Sequence, residues 1–408
     1  MQRTLVRATD RFERKRETIL DAATELLNSH GVKGLTLGDA AAAVGLSTTS
    51  VTYYFKRKDD LAAACMLRGI AALEAMAEQA VAEPTPRDRL KKLLELYMDR
   101  VRRSLAGEAP PLPVLSDLRA LNPPQLELVF GAYMKLFRKV RQIFDAPELV
   151  WLSRSRQTAR THLLLEQLFW AAAWLLKYDL EDYPRIGDRT FEILVEGIAV
   201  DGADWRPTPI PMSEIEPRGR QDIGRETFLI AATQLINARG YRGASVDKIS
   251  AALKVTKGSF YHHIDAKDDL VVACFERTFE VMRRAQRLAM ALPGDQWSRI
   301  SSAAAALAEF QLSPQGPMLR ISALTAVPEP IRMQMVLQSA RVSDRFASTI
   351  SDGIAEGSIR RVDPFIAAQM LNATLNAAAE LPFWVPGATP KAAPALFARP
   401  LLMGLFQR

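Results

Sequence analysis

Apolar residues recur at three- and four-residue spacing along most of the chain, and that spacing predicts helices. In "RKRETILDAATELLNSHG" the residues Ile19, Ala22, Ala23, Leu26 and Leu27 fall on one helical face, and Gly31 stands where a helix ends. Thr36 precedes the next apolar run with Asp39 three residues on, a box-like N-cap, and the pattern predicts a short helix over Ala40–Val44 that stops at Gly45. Ser47 caps a third helix, and Lys58-Asp59-Asp60-Leu61 opens a fourth. Longer periodic stretches follow at Arg89–Leu105, Gln125–Phe144, Glu148–Lys177 and Arg189–Val200. No strand-period segment of any length occurs, so the pattern predicts an all-α fold.

The pattern is written twice. Glu17–Cys65 aligns on Glu226–Cys274 without a gap, about 19 of the 49 positions being identical. Lys-Asp-Asp-Leu recurs intact at 267–270, and Cys65 and Cys274 fall in register. The second copy has Ser245 as cap, a second helix through Leu253 and Thr256 as the next cap. Its later helices are expected over Ser298–Gln311, Pro330–Glu356, Pro364–Ala379 and Lys391–Arg408. A long period with one recurrence means a duplicated domain rather than an array of short repeats. Four prolines in the polar stretch "DWRPTPIPMSEIEPRGRQD" mark the seam as a linker. The expected layout is a basic arm over 1–16, head one over 17–65, body one over 66–203, linker 204–222, head two over 223–275 and body two over 276–408.

Composition narrows the class. With 408 residues, 48% hydrophobic and 24% charged, the chain is an ordinary globular sequence of two or three domains. A net charge of +7 suits a polyanionic partner. No apolar run reaches the ~20 residues that span a bilayer, and the start of the chain lacks the apolar middle of a signal peptide, so a cytoplasmic protein without a membrane partner is expected. The two cysteines cannot build a disulfide framework and read as buried packing.

Short helix, tight turn and second short helix is a helix-turn-helix arrangement. The stretch "VTKGSFYHHIDAKDDL" after "YRGASVDKISAALK" resembles the DNA-binding head of the TetR family of bacterial transcriptional regulators. Copy two matches that pattern at Val255, Lys257, Gly258, Tyr261, His263, Lys267 and Leu270, with Ile264 where Phe is usual. Copy one matches at Gly45, Ser47, Tyr53, Phe55, Lys58 and Leu61, but has Thr52 for the first Tyr and Thr48-Thr49 for Lys-Gly. Residues 331–371 resemble the family's effector domain, whose members are typically single units that form homodimers.

A helix entering the major groove presents its N-terminal side chains to base edges. That geometry nominates Thr48, Thr49, Thr52 and Tyr53 in copy one and Lys257, Gly258, Tyr261 and His262 in copy two, behind the caps Ser47 and Thr256. The resemblance assigns Tyr54, Lys58, His263 and Lys267, with the caps Thr36 and Ser245, mainly to phosphates. Arg11, Arg14, Lys15 and Arg16 add a basic arm that is as compatible with a solvated end as with phosphate contact. Because the two reading helices differ, the resemblance implies an asymmetric pseudo-palindromic DNA operator read by an intramolecular pseudo-dimer, with a further homodimer giving four heads as an alternative.

The resemblance also implies a small-molecule effector and, as the commoner outcome, repression. Phe169, Trp170, Trp174 and Tyr178 in copy one and Phe383 and Trp384 in copy two are the candidates for an apolar or aromatic ligand, with core packing as the competing reading for each. An enzyme is not expected, since the four histidines form no zinc-spaced cluster and the chain has no P-loop or nucleophile elbow. No cofactor or metal is expected: His162 and Glu166 lie one turn apart, which reads as a helix-surface pair. A helical interaction scaffold that no longer reads DNA is the remaining alternative.

Overall fold

A computed structural model describes residues 2–217, 223–240, 244–254, 267–327 and 329–408. Among these residues the fold is all-α, and the one strand-like contact is an isolated antiparallel bridge between Ala199 and Ile359. Unit one comprises α1 (Gln2–Gly34), α2 (Leu37–Ala43), α3 (Thr48–Tyr54), α4 (Lys58–Val81), α5 (Pro86–Leu105), α6 (Gln125–Arg141), α7 (Arg154–Trp174) and α8 (Tyr183–Glu196). Unit two comprises α9 (Ile223–Arg239), α10 (Val246–Leu253), α11 (Lys267–Met290), α12 (Gln296–Leu312), α13 (Glu329–Glu356), α14 (Pro364–Ala377) and α15 (Arg399–Met403).

Four expectations change. The arm is helical from Gln2 and continues into α1, which breaks only at Gly31, where φ is 67°. Glu148–Lys177 is divided, because Ser153 caps a new helix and accepts from the Arg156 amide. The last helix of unit one starts at Tyr183 rather than Arg189, as Pro184 in the first turn favours, and ends at Gly197 with φ 68°. The C-terminal stretch forms a 3-10 turn at Pro390–Ala392, a π turn at Pro394–Ala398 and α15, because successive prolines remove helical donors. The linker is also less free than its composition implies. Ile210 and Ile215 are buried, and the Thr208 amide donates to the Ser302 hydroxyl at 2.9 Å.

The two units share one core. Helices α7 and α8 lie against α14 and the C-terminal segment. Leu163, Leu164 and Leu168 of α7 are buried, each worth about 2 kcal/mol of apolar burial. Gln167 donates to Met370 O at 3.1 Å and to the Thr374 hydroxyl at 2.9 Å. Main chains also cross: the Ile198 amide donates to Leu402 O at 2.9 Å and the Leu405 amide to Leu194 O at 2.8 Å. Gly197 and Gly404 flank this crossing, where a Cβ on either meets the opposing backbone. Arg160, buried, donates to Leu405 O at 2.7 Å and holds the C-terminal segment in place.

Candidate nucleic-acid interface

Head one is built by its caps. The Thr36 hydroxyl accepts from the Asp39 amide at 3.0 Å and donates to the Asp39 carboxylate at 2.7 Å, which starts α2. Gly45 supplies φ 65° for the turn. Ser47 accepts from the Ser50 amide at 3.2 Å, which starts α3. Val51 and Phe55 turn inward and are buried, so the opposite face of α3 must face out.

That outer face carries Thr48 and Thr49, both exposed, and Tyr53, which is 68% exposed. The Thr52 hydroxyl donates to Thr48 O at 2.9 Å, a bond to its own helix. Tyr54 is half-buried under Phe12 of the arm, ring centroids 4.6 Å apart, and Phe12 also meets Tyr53 edge-on at 5.9 Å. The arm therefore docks on the reading helix, and Arg16 lies over the Phe55 ring at 5.5 Å. The Lys58 ammonium donates to Lys33 O at 3.0 Å, at the end of α1. Two of its three donors remain for an anion. Exposed Lys56 and Arg57, in the loop between α3 and α4, extend the basic rim alongside exposed Arg11 and Lys15. Lys56 and Arg57 were missed in the sequence reading, although "FKRKDD" advertises them.

In head two, α9 and α10 repeat α1 and α2, and Ser245 accepts from the Lys248 amide at 3.3 Å. Lys254 takes the place of Gly45 and keeps its left-handed conformation, with φ 56° and ψ 38°. Thr256, Lys257, Gly258, Tyr261, His262 and His263 lie outside the described residues, and of Lys267 only the main chain, at the start of α11, is described.

The effector candidates separate. Phe169 and Trp384 line a void of about 30 Å³ with Tyr133, Glu166, Arg320 and Glu380. Trp170 lines one of about 10 Å³ with Phe275, Phe279 and Asn372. Each holds little more than water. Trp174 is buried with Tyr178 edge-on at 6.1 Å, Phe383 is half-exposed, and Trp384 stacks on Phe137 at 4.1 Å. Wider clefts lie elsewhere. One of about 310 Å³ between α5 and α8 is lined by Leu94, Met98, Tyr183 and Phe191, and one of about 680 Å³ by the polar linker start and Trp297.

His162 is fully buried rather than on a helix surface; its Nε2 lies 3.1 Å from Ala377 O and its ring stacks between Trp384 and Phe397. Burial holds its pKa below the ordinary value. Ligand atoms of His162, Glu166 and Glu380 lie within 4.8 Å of one another, but Arg320 engages both carboxylates, so their charge is already answered within the protein. No helix among the described residues is long and apolar enough to cross a membrane.

Comparison with known proteins bears on the heads. The model of a family described as bacterial regulatory proteins, tetR family, matches residues 19–65 and 228–274. The Transposon Tn10 TetC protein of Escherichia coli is 38% identical over 52 residues, 13% of this chain and 26% of that protein. The HTH-type transcriptional repressor DhaR of Mycobacterium sp. (strain GP1) is 35% identical over 60 residues, 15% and 30% of the two chains. The HTH-type transcriptional activator FasR of Mycolicibacterium smegmatis is 30% identical over 90 residues, 22% and 41%. The matches thus span between 26% and 41% of these relatives' own lengths. Among solved structures, the TetR family transcriptional regulator PfmR from Thermus thermophilus aligns at 20% identity and TM-score 0.36, covering 44% of this chain and 99% of its own. AibR in complex with isovaleryl coenzyme A and operator DNA aligns at 20% and 0.35, covering 42% and 94%.

Proposed function

The chain belongs to the tetR family of bacterial regulatory proteins, with two tandem units, and from that premise we propose that it is a sequence-specific DNA-binding transcriptional regulator and not an enzyme. Its two units pair internally as a pseudo-dimer, and its unlike heads read an asymmetric pseudo-palindromic operator. The observation that carries this reading is the recurrence, in register, of a capped helix-turn-helix whose first copy exposes Thr48, Thr49 and Tyr53 on one face of α3.

The internal pairing is supported by the shared core and by main-chain crossing at Gly197 and Gly404. A dimeric helix-turn-helix protein reads two half-sites related by its two-fold axis, so two heads in one chain meet that requirement without a second chain. Repression released by a small apolar or aromatic effector is the finer proposal, in keeping with the repressor named DhaR; FasR, named an activator, makes activation the opposing outcome. Both voids beside Phe169 and Trp170 are water-sized, so an effector there acts by opening a minor conformation.

Unequal heads are a second reading, favoured by the bond of the Thr52 hydroxyl to its own helix, at the position where copy two has Tyr261. Selection of bound sequences from a random duplex library at fixed salt tests both readings. An enriched site with two unlike halves, weakened by Lys58→Ala and by Lys267→Ala alike, is expected. Enrichment that only Lys267→Ala disturbs selects the unequal-head reading, and no enrichment at all leaves an interaction scaffold. Loss of affinity with rising salt is expected in proportion to the phosphates contacted.

A further inference from the structure

Four charged side chains form a chain across the face between the units. Arg119 of unit one lies 3.0 Å from Glu380 of unit two; Arg320 of unit two pairs with Glu380 and reaches Glu166 of unit one at 3.6 Å. Arg320 and Glu380 keep only 11% and 12% of their side-chain surface exposed. Of the links in this chain of four, Arg119–Glu380 and Glu166–Arg320 cross between the units; Arg189–Asp363 and Glu192–Arg360 are separate ion pairs that also cross.

Among the described residues, the related patch on the other side of the internal two-fold contains none of this charge. Ser153 and Asp363 occupy the same cap at the start of α7 and α14, which sets Glu166 in the place of Asn376 and Trp170 in the place of Glu380. Asn28 accepts from the Val114 amide as Asn237 does from the Arg320 amide, which sets Val114 in the place of Arg320. Where unit two inserts Glu380 into unit one, unit one inserts Trp170 into unit two, beside Asn372 and Asn376, with its indole donating to Gln369 at 3.3 Å. One patch is ionic and the other is neutral and aromatic.

We infer that this asymmetric charge chain is a pairing key, by which the face of unit one accepts the face of unit two and rejects a second copy of itself. The inference rests on the internal pairing proposed above and deepens it. A pair of first units sets the Trp170 indole against Arg119 and the Val114 side chain against Glu166, leaving both ions without a partner across the interface. A pair of second units keeps Arg320 with Glu380 but sets Arg320 against neutral Asn376. Buried ion pairs add little net stability, yet an unanswered buried ion is penalised heavily, and that difference discriminates between partners. Burial raises the Glu380 pKa, but Arg320 and Arg119 outweigh it and hold the carboxyl below its ordinary value, so Glu380 is charged at neutral pH.

The test uses the folded full-length chain carrying a protease site between residues 216 and 223. After cleavage, the halves are allowed to exchange by dilution and reconcentration, and native mass spectrometry resolves like from unlike pairs by mass. Unlike pairs are expected to exceed their statistical share over like pairs by about tenfold or more. Arg119→Met with Glu166→Met, which removes unit one's part of the key, is expected to raise pairs of first units about tenfold; Glu166→Gln, which keeps the shape, serves if the double variant does not fold. Halves that stay paired but scramble statistically in the wild type overturn the key alone, and so does selectivity that persists in the variants. Halves that separate without pairing overturn the internal pseudo-dimer as well.

Discussion

The two heads are fastened to their bodies by the same amide but by different guanidinium groups. Asn28 donates to Leu112 O and Asn237 to Met318 O, both at 2.9 Å, and each carbonyl oxygen accepts an amide two residues further on. Arg68 and Arg277 occupy equivalent positions on α4 and α11 but work differently. Arg68, just past the end of head one on α4, holds Glu17 at 2.9 Å and Asp21 at 2.7 Å on α1, all partly open to solvent. Ile230 stands where Asp21 would be, so buried Arg277 keeps Glu226 at 2.6 Å and spends its remaining donors on Pro317 O and Gln315 O of the body. One lost carboxylate turns a bond between helices into a tether between head and body. Head two is also tied through Asn237 to Arg320, which reaches unit one, whereas head one is tied to uncharged Val114.

Cys65 and Cys274 report on this difference without added probes. Both are fully buried, with their thiols 3.7 Å from Leu20 O and Leu229 O, and burial raises each pKa to about 11. Alkylation at neutral pH therefore requires the head to open. A folded pKa raised above the unfolded value stabilises the head below the unfolded thiol pKa, and that stability is lost as pH rises through the folded pKa. Between pH 9 and about 11 both heads are expected to open more readily, and equally, as judged by alkylation rates corrected for intrinsic thiolate reactivity.

Arg277→Met is expected to have the largest effect, because it strands Glu226 and two carbonyls: about 3 kcal/mol, read as Cys274 alkylation faster by about a hundredfold with Cys65 unchanged. Arg68→Met is expected to cost head one about 1 kcal/mol, since its carboxylates are solvated. Equal effects from the two variants would erase the distinction between tether and brace. Asn28→Ala and Asn237→Ala come next, at about 2 kcal/mol each, because each leaves a partly buried amide and carbonyl unanswered. Thermal melting with thiol labelling of the cognate cysteine checks that these two, unlike the arginines, match.

How much of this was readable beforehand follows from how local each cause is. The caps Thr36, Ser47 and Ser245 and the turn at Gly45 act within four residues, and the sequence placed them correctly. The arm's helix was not readable: "RFERKRE" has no apolar period, and Phe12 rests on Tyr54, more than forty positions away. His162 misled for the same reason, since its neighbours Arg160, Glu166 and Gln167 look like a solvated face and are answered by main chain and side chains of the other unit. The end of unit two carried its own signal in Pro390, Pro394 and Pro400, which outweighs the apolar pattern that suggested one long helix. At Lys58 the residue is readable from the sequence, but the bond of one of its donors to the end of α1, a contact twenty-five positions away, is not.

The smallest expected effect tests the turn itself. Gly45 and Lys254 share the left-handed conformation, and only the lysine has a Cβ to strain there. Replacing a lysine by glycine relieves about 1–2 kcal/mol of that strain but gives the unfolded chain about 0.5–1 kcal/mol of extra freedom. The net expectation for Lys254→Gly is a head two more stable by about 0.5–1 kcal/mol, with Cys274 alkylated about twofold to fivefold more slowly and Cys65 unaffected. The reciprocal change, Gly45→Lys, meets no neighbouring atom and therefore isolates the backbone contribution; it is expected to make head one open more readily by a similar factor. Should both substitutions leave both rates alone, the heads differ only in their arginines, and the strained turn of head two has no share in the contrast.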